Sequence, residues 1–167
     1  MPAQGLDQVD WQLLEALQED GRLSYNELSR RVHLSAPAVA ERVRRLESTG
    51  VITGYHAQVD PTRAGLPLLA FIQLRCRAGS CLLKTGKAQD YPEIAEVHKL
   101  SGEHCSLLKV RSTSLTHFES FLDRLGTHGE MRTHIVLSTQ HEQGWIQQPA
   151  DEPEPVPPAQ GWRGPNS

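Results

Sequence analysis

Residues 24–46 place the strongest constraint on the fold, because they predict two short amphipathic helices joined by a tight turn. Ser24 and Ser35 each stand where a helix N-cap is expected, and Glu27 completes a capping box with the first of them. In the second helix, apolar side chains recur at i, i+4 and i+7 and so define a buried stripe. This pattern is typical of a DNA-binding helix-turn-helix, whose second helix lies in the major groove.

The flanking residues predict a complete small domain around this unit. Asp7 can cap an additional helix before the helix-turn-helix, which gives the domain a core of three helices. Residues 51–59 predict a hairpin with Gly54 in its bend, in the position of a wing. We therefore predict a winged helix-turn-helix DNA-binding domain over residues 6–60, followed by a hinge over residues 61–67 that is rich in Pro and Gly.

The second half of the chain predicts the order βαββαβ, which is that of a ferredoxin-like sandwich, so the fold class is α+β. This ligand-binding and oligomerisation domain is predicted over residues 68–146, and a disordered Pro-rich tail over residues 147–167. Its predicted elements are a strand over 68–76, a weak helix over 82–91, strands over 94–100 and 105–112, a helix over 115–125 and a strand over 131–141.

Positive charge is concentrated on the helix-turn-helix. The chain has a net charge of −3, yet six arginines and only two glutamates lie between Arg22 and Arg45. Charge runs are usually solvated helical faces, but here the arginines lie on a recognisable motif, which favours binding to double-stranded DNA. An outward-facing arginine either clamps a phosphate or reads guanine, and the sequence leaves both open.

The residues predicted to contact DNA lie mainly on the outward face of the second helix. The helix N-terminus at Ser35 is a natural phosphate site, and the small residues after it either allow close approach to the bases or simply fill the helix. We predict that a dimer binds a palindromic operator with half-sites about one helical turn apart. The predicted contact residues are Ser24, Ser35, Ala36, Pro37, Ala38, Glu41, Arg42, Arg44, Arg45 and Tyr55.

Several classes of protein are not expected. The N-terminus lacks a secretory signal pattern and the longest apolar run is too short to span a membrane, so we expect a cytoplasmic protein. The three cysteines include no Cys-x-x-Cys pair and indicate neither a disulfide framework nor a standard zinc site. No catalytic constellation is evident, and we predict no enzyme activity, no metal and no cofactor.

Several motifs together resemble the Lrp/AsnC (feast/famine) family of transcriptional regulators. They are Leu6-Asp7-x-x-Asp10, the recognition-helix signature over residues 35–52, Gly54-Tyr55, Pro92-Glu93-Ile94 and Ser101-Gly102-Glu103. The resemblance covers residues 6–147. It implies a regulator that forms dimers and higher oligomers and whose activity is modulated by an amino acid or a similar small effector bound between protomers.

The resemblance also implies an effector site in one loop. Its residues would be Ser101, Gly102, Glu103, His104 and Cys105. Cys105 stands where the family usually has an aspartate, and since a thiol cannot accept hydrogen bonds from an ammonium group as a carboxylate does, the identity of the effector stays open. Cys105 is alternatively a small buried hydrophobe, or a sensor of metal or oxidants together with His104 or another histidine.

Two other functions remain as alternatives. The siroheme decarboxylases resemble this family and use the same two-domain fold as enzymes. A ligand-binding or assembly protein with a vestigial helix-turn-helix is the other alternative. The arginine-rich second helix favours the regulator over both.

Overall fold

The structure is a computed structural model that describes residues 5–77, 79, 81–82, 87–142 and 144–150. The chain divides into two compact units. The first runs to Ala57 and includes the described residues after His141, and the second runs from Gln58 to His141. No helix among the described residues is long and apolar enough to cross a membrane.

Three helices form the first unit, and side chains cap each of them as the sequence predicts. Asp7 and Ser24 each form a complete capping box, and Ser35 accepts a hydrogen bond from the third residue of its helix. His33, at φ 55°, ends the second helix in a left-handed conformation and turns the chain toward the third. The helices are α1 (Gln8–Glu19), α2 (Tyr25–Val32) and α3 (Ala36–Ser48).

One apolar cluster joins these helices. The predicted stripe of α3 is confirmed, since Val39, Val43 and Leu46 are all buried. Val39 and Val43 pack in a cluster with side chains of α1 and α2. The buried cluster consists of Leu13, Ala16, Leu28, Val32, Val39 and Val43.

The predicted wing hairpin is wrong, because residues 51–59 form no strand. The first residues of this segment instead close the end of α3. Gly50, at φ 74°, ends the helix, and the backbone N–H groups of Val51 and Ile52 both donate to the carbonyl of Leu46, at 2.9 and 3.0 Å. Because these two N–H groups already donate to Leu46, they are not available to form the first hydrogen bonds of a hairpin.

A four-stranded antiparallel sheet with the order β2-β3-β1-β4 forms the second unit. This order confirms the ferredoxin-like prediction. The last strand is shorter than predicted and begins earlier. A Cβ on Gly129 would lie 2.0 Å from the carbonyl oxygen of Arg75, so the close pairing at the start of β4 requires glycine. The strands are β1 (Leu68–Cys76), β2 (Ile94–Lys99), β3 (Ser106–Ser112) and β4 (Gly129–Ile135).

One face of this sheet is covered by α4 (Leu115–Leu125), which Ser114 caps. Phe118, Phe121 and Leu125 are buried against the sheet. The apolar spacing of Leu115, Phe118, Leu122 and Leu125 predicts that these residues share the buried face of this helix. Leu115 is instead exposed, because the helix turns Phe121 inward. The sheet contributes Ala70, Ile72, Leu74, Leu108 and Val110 to the core.

Two predicted segments lie partly outside the described residues. In the predicted helix over residues 82–91, Leu82 is helical and buried, residues 83–86 are outside the described part, and Lys87–Asp90 is a 3-10 helix. In the predicted tail, residues 147–150 are exposed and irregular, and residues 151–167 lie outside the described part.

Candidate nucleic-acid interface and ligand-binding loop

Two of the arginines predicted to contact DNA hold α3 against α1. Asp10 of α1 is fully buried, and both of its carboxylate oxygens bind α3. Arg42 Nη1 donates to Asp10 Oδ1 at 2.9 Å and to Asp7 Oδ2 at 2.7 Å. Arg45 Nη2 donates to Asp10 Oδ2 at 2.5 Å. Arg42 and Arg45 therefore have a positioning role that the spacing of residues along the helix did not reveal.

The ion pairs shift the proton affinities of the groups around Asp10. The backbone N–H of Asp10, followed by the guanidinium of Arg42, lowers the pKa of Asp7 below its ordinary value. The hydrogen bonds to Asp7 and Asp10 raise the pKa of Arg42. The charge of Arg42 is thus matched within the protein, which leaves less of it to attract a phosphate.

Arg44 is the exposed arginine of α3 that has no ion pair among the described residues. On α2, Arg30 is also exposed without one, whereas Arg31 pairs with Glu19 at 2.8 Å. Arg30 and Arg44 are therefore the cations of α2 and α3 whose charge is least compensated inside the unit.

The N-terminus of α3 presents small and polar groups. Ser35 and Pro37 are exposed, and Ala36 and Ala38 are half-buried. Ser35 Oγ accepts only a long hydrogen bond of 3.4 Å from the N–H of Ala38. This end of the helix is sterically open, as a phosphate site requires.

Three other predicted contact residues differ in their surroundings. Glu41 is exposed on α3. Ser24 Oγ donates to Glu27 Oε2 at 2.6 Å, so its capping box engages it. Tyr55 does not stand on a wing, because its hydroxyl donates to Glu47 Oε1 at 2.9 Å beside α3. Burial, followed by this bond, raises the pKa of Tyr55 to about 12.

The predicted effector loop, residues 101–105, connects β2 to β3. Gly102 has φ 105°, a conformation that side-chain-bearing residues rarely adopt. Ser101, Gly102 and Glu103 are exposed, and Glu103 Oε1 lies 3.4 Å from Arg75 Nη1 of β1. His104 and Cys105 are half-buried. The loop thus offers a carboxylate and an imidazole close to the end of β1.

Cys105 is in contact with other thiols rather than buried as a small hydrophobe. Its Sγ lies 2.8 Å from Cys76 Sγ, and it accepts a hydrogen bond from the backbone N–H of Cys76 at 3.2 Å. Burial, followed by hydrogen bonds to Cys105 and Cys81, raises the pKa of Cys76 to about 12. Burial opposes ionisation of Cys105, but hydrogen bonds to Cys76 and Ser106 outweigh it and lower the pKa of Cys105. Spacing along the chain had not pointed to Cys76 or Cys81.

A chain of polar groups near α4 superficially resembles a hydrolase triad. Ser112 Oγ lies 3.0 Å from His117 Nδ1, and His117 Nε2 lies 3.2 Å from Glu93 Oε1. Ser112 is fully buried, however, and its hydroxyl donates to the carbonyl of Ser114 at 3.2 Å. A hydroxyl that no substrate can reach is not a nucleophile, so the chain of contacts is structural.

Comparison with known proteins adds an independent observation to this geometry. Residues 6–47 match the AsnC-type helix-turn-helix domain, and residues 69–146 match the Lrp/AsnC ligand binding domain. The transcriptional regulator LrpC of Bacillus subtilis is 35% identical over 133 residues, which cover 80% of this chain and 92% of the relative. The chain belongs to the Lrp/AsnC family. It is thus a transcriptional regulator by family, and this family function is non-enzymatic.

Other Lrp/AsnC proteins support the same assignment. The leucine-responsive regulatory protein of Escherichia coli is 36% identical over 143 residues, covering 81% of this chain and 87% of the relative. The structure of B. subtilis LrpC superposes with a TM-score of 0.79 at 33% identity, covering 83% of this chain and 99% of LrpC. A feast or famine regulatory protein of Mycobacterium tuberculosis, complexed with L-methionine, gives a TM-score of 0.79 at 33% identity, covering 86% and 100% of the two chains.

Proposed function

We propose that this Lrp/AsnC protein binds double-stranded DNA through the exposed face of α3, and that Arg44 is its main reading residue. The observation that carries the proposal is the division among the arginines of α3. Arg42 and Arg45 are engaged by Asp10, whereas Arg44 is exposed with no ion pair among the described residues. The unpaired guanidinium is the one available to a guanine edge or a phosphate.

The remaining contact residues follow from their positions around Arg44. Ser35, Ala36, Pro37 and Ala38 form the open N-terminus of α3, which suits a phosphate. Glu41 is exposed one turn before Arg45 and suits a cytosine amino group. We also propose that the protein acts in the cytoplasm, where a DNA partner is accessible in a prokaryotic cell.

A selection from random duplexes followed by affinity measurement tests this assignment. The protein is used to enrich its own operator, and fluorescence anisotropy then compares wild type with Arg44→Ala. We expect binding to weaken by roughly fivefold or more, since a bidentate base contact contributes about 1–3 kcal/mol. Arg63→Ala, which removes the same charge at a 90% exposed side chain outside the helices, is the matched control. Equal affinities of wild type and Arg44→Ala would overturn the assignment.

We also propose that the protein binds a palindromic operator as a dimer, and that the dimer forms through the open face of the sheet. Leu69, Phe71 and Leu107 lie half-buried on the face opposite α4. Around them stand paired charges such as Lys109 and Glu96, 2.9 Å apart. An apolar centre within a charged rim is the anatomy of a protein interface.

Sedimentation of the full chain tests the dimer. We expect wild type to sediment as a dimer or larger, and Phe71→Asp to shift it toward monomer. Thr116→Asp, on the exposed side of α4, is the control and should leave the assembly unchanged. A wild-type monomer at micromolar concentration, or a Phe71→Asp protein that assembles normally, would contradict this interface.

For the effector, we propose an amino acid bound at residues 101–105. Regulators of M. tuberculosis and Neisseria meningitidis that resemble this chain form complexes with L-methionine. Thermal unfolding with a panel of amino acids tests the proposal, since a ligand of the folded state raises the Tm with concentration. We expect Glu103→Ala to reduce the shift and the exposed-site control Glu119→Ala to retain it. If no amino acid raises the Tm of wild type, this effector class is wrong.

A further inference from the structure

All three cysteines of the chain meet at one place in the second unit. Cys76 ends β1, Cys81 lies in the connection that follows, and Cys105 precedes β3. The three Sγ atoms lie within 4.8 Å of one another. Backbone pairing produces this meeting, because the N–H of Cys105 donates to the carbonyl of Leu74 at 3.0 Å and so lays the loop against the end of β1.

The arrangement has the dimensions of a metal site. Metal–sulfur bonds of roughly 2.3 Å place the sulfurs of a tetrahedral zinc site roughly 3.8 Å apart. The sulfurs of Cys76 and Cys105, now 2.8 Å apart, would separate by roughly 1 Å on binding an ion. All three side chains are half-buried, so an ion can reach them from solvent. The backbone N–H of Cys76 donates a hydrogen bond to Cys105 Sγ, and such a bond stabilises a sulfur ligand in its thiolate form.

Neither simple alternative accounts for all three sulfurs. Cys76 packs partly against the apolar core, but packing does not explain why its sulfur contacts that of Cys105, which also contacts polar backbone groups of Cys76 and Leu74. A disulfide would use two sulfurs and leave the third without a function. A thiophilic metal ion uses all three, since soft thiolate ligands favour zinc and copper(I).

We propose that Cys76, Cys81 and Cys105 together bind one thiophilic metal ion, Zn²⁺ or Cu⁺. Zinc would complete its tetrahedron with a solvent molecule, whereas copper(I) is satisfied by three thiolates. The thiols lose their protons to solvent on binding, so uptake releases protons. Because Cys105 is the last residue of the loop over residues 101–105, the bound ion would link this loop to the end of β1. DNA binding is not needed for this site, so its failure leaves the proposed function intact.

Titration of the full chain with metal tests the site. The protein is reduced with a non-thiol reductant, freed of metal with a chelator and titrated with Co²⁺ as an optical probe for zinc. We expect one equivalent to produce sulfur-to-cobalt charge-transfer absorption, which Zn²⁺ then abolishes. Cu⁺ is titrated separately against a chromogenic chelator. In wild type, bound Zn²⁺ should protect all three cysteines from alkylation, as counted by mass spectrometry.

Single-residue variants show whether the metal binds at the three cysteines or elsewhere on the protein. Cys76→Ser, Cys81→Ser and Cys105→Ser should each lose the cobalt–sulfur absorption, whereas His134→Ala, at an exposed histidine on β4, should keep it. The alkylation result on wild type decides the matter even if a serine variant fails to fold. Absence of both the cobalt–sulfur band and Cu⁺ uptake, metal binding that survives in Cys105→Ser, or loss of two thiols to a disulfide without metal uptake would each overturn the proposal.

Discussion

Among the described residues, each unit of the protein has one buried carboxylate that pairs with arginine, but the two carboxylates differ in how many of their oxygens accept hydrogen bonds. In the helical unit, Asp10 is fully buried and both oxygens accept hydrogen bonds, from Arg42, Arg45 and the N–H of Asp7. In the sheet unit, Glu93 is 5% exposed, and its Oε1 binds both Arg124 and His117. Its Oε2 has no hydrogen-bond partner among the described residues.

This difference indicates how much each of the two carboxylates contributes to the stability of its unit. Asp10 combines a local role in a capping box with a long-range role in joining α1 to α3. Loss of either partner of a well-paired buried ion is costly, because the other charge is left without compensation. Glu93 concentrates its partners on one oxygen, and an unpartnered buried oxygen offsets part of what they contribute. We therefore expect the helical unit to depend more strongly on its carboxylate.

The largest effect is expected at Asp10. Asp10→Ala removes two ion pairs and half of a capping box, so the free energy of unfolding should fall by about 3 kcal/mol. Urea unfolding of the full chain, followed by circular dichroism, measures the change. Glu15→Ala, at an exposed glutamate of the same helix, should stay within about 0.5 kcal/mol of wild type. A loss at Asp10 no larger than this control would break the comparison.

A smaller effect is expected at Glu93. Glu93→Gln keeps an acceptor for Arg124 and places an amide where the unpartnered oxygen stands, so the loss should be about 1 kcal/mol. The same urea experiment measures it, with Glu119→Gln on the exposed side of α4 as control. If Glu93→Gln destabilised the protein as much as Asp10→Ala, the two carboxylates would be equivalent and the distinction between them wrong.

The smallest effect is expected in how the stability of the protein depends on pH. The pKa of Asp7 is lowered in the folded protein, so its stabilising contribution is complete above the ordinary value of 3.8 and is lost as the pH falls through the lower folded value. Asp7→Asn retains an N-cap acceptor but does not titrate. Between about pH 6 and about pH 3, its stability should fall less than that of wild type, by about 0.5 kcal/mol because the pair is partly exposed.

Unfolding midpoints of the two proteins across this pH range provide the measurement. The pKa of Glu27 is also lowered, but its contribution is common to both proteins and cancels in the difference. Identical acid dependence in wild type and Asp7→Asn would show that the pair with Arg42 contributes nothing to the stability around Asp10.

The prediction of the helical unit from sequence is accurate where the signal is local. Asp7, Ser24 and Ser35 cap the helices they were predicted to cap, because a cap depends on residues only three positions apart. The hairpin over residues 51–59 is wrong, because its first N–H groups are taken by the last turn of α3. That competition involves backbone groups, which side-chain patterns do not record.

In the sheet unit, the order of the elements is predictable from the sequence, whereas the bounds of β4 are not. The bounds of β1, β2 and β3 are predicted to within one residue, and buried positions alternate with more exposed ones on β1 and β3. The start of β4 at Gly129 depends on close approach to Arg75 in another strand, so the neighbouring sequence does not predict it. The burial of Phe121 in place of Leu115 likewise depends on where the helix meets the sheet.

By itself, the sequence determined the capped helices of the helix-turn-helix, the βαββαβ order and the family, because these follow from short-range spacing and from residues at fixed positions. Only the tertiary structure decided which arginines of α3 are paired within the protein, since Asp10 lies more than thirty positions away from Arg42 and Arg45. Tertiary pairing also brought Cys105 to Cys76 and Cys81. Contacts between distant segments depend on how strands and helices pack, and that information lies in no single stretch of the chain.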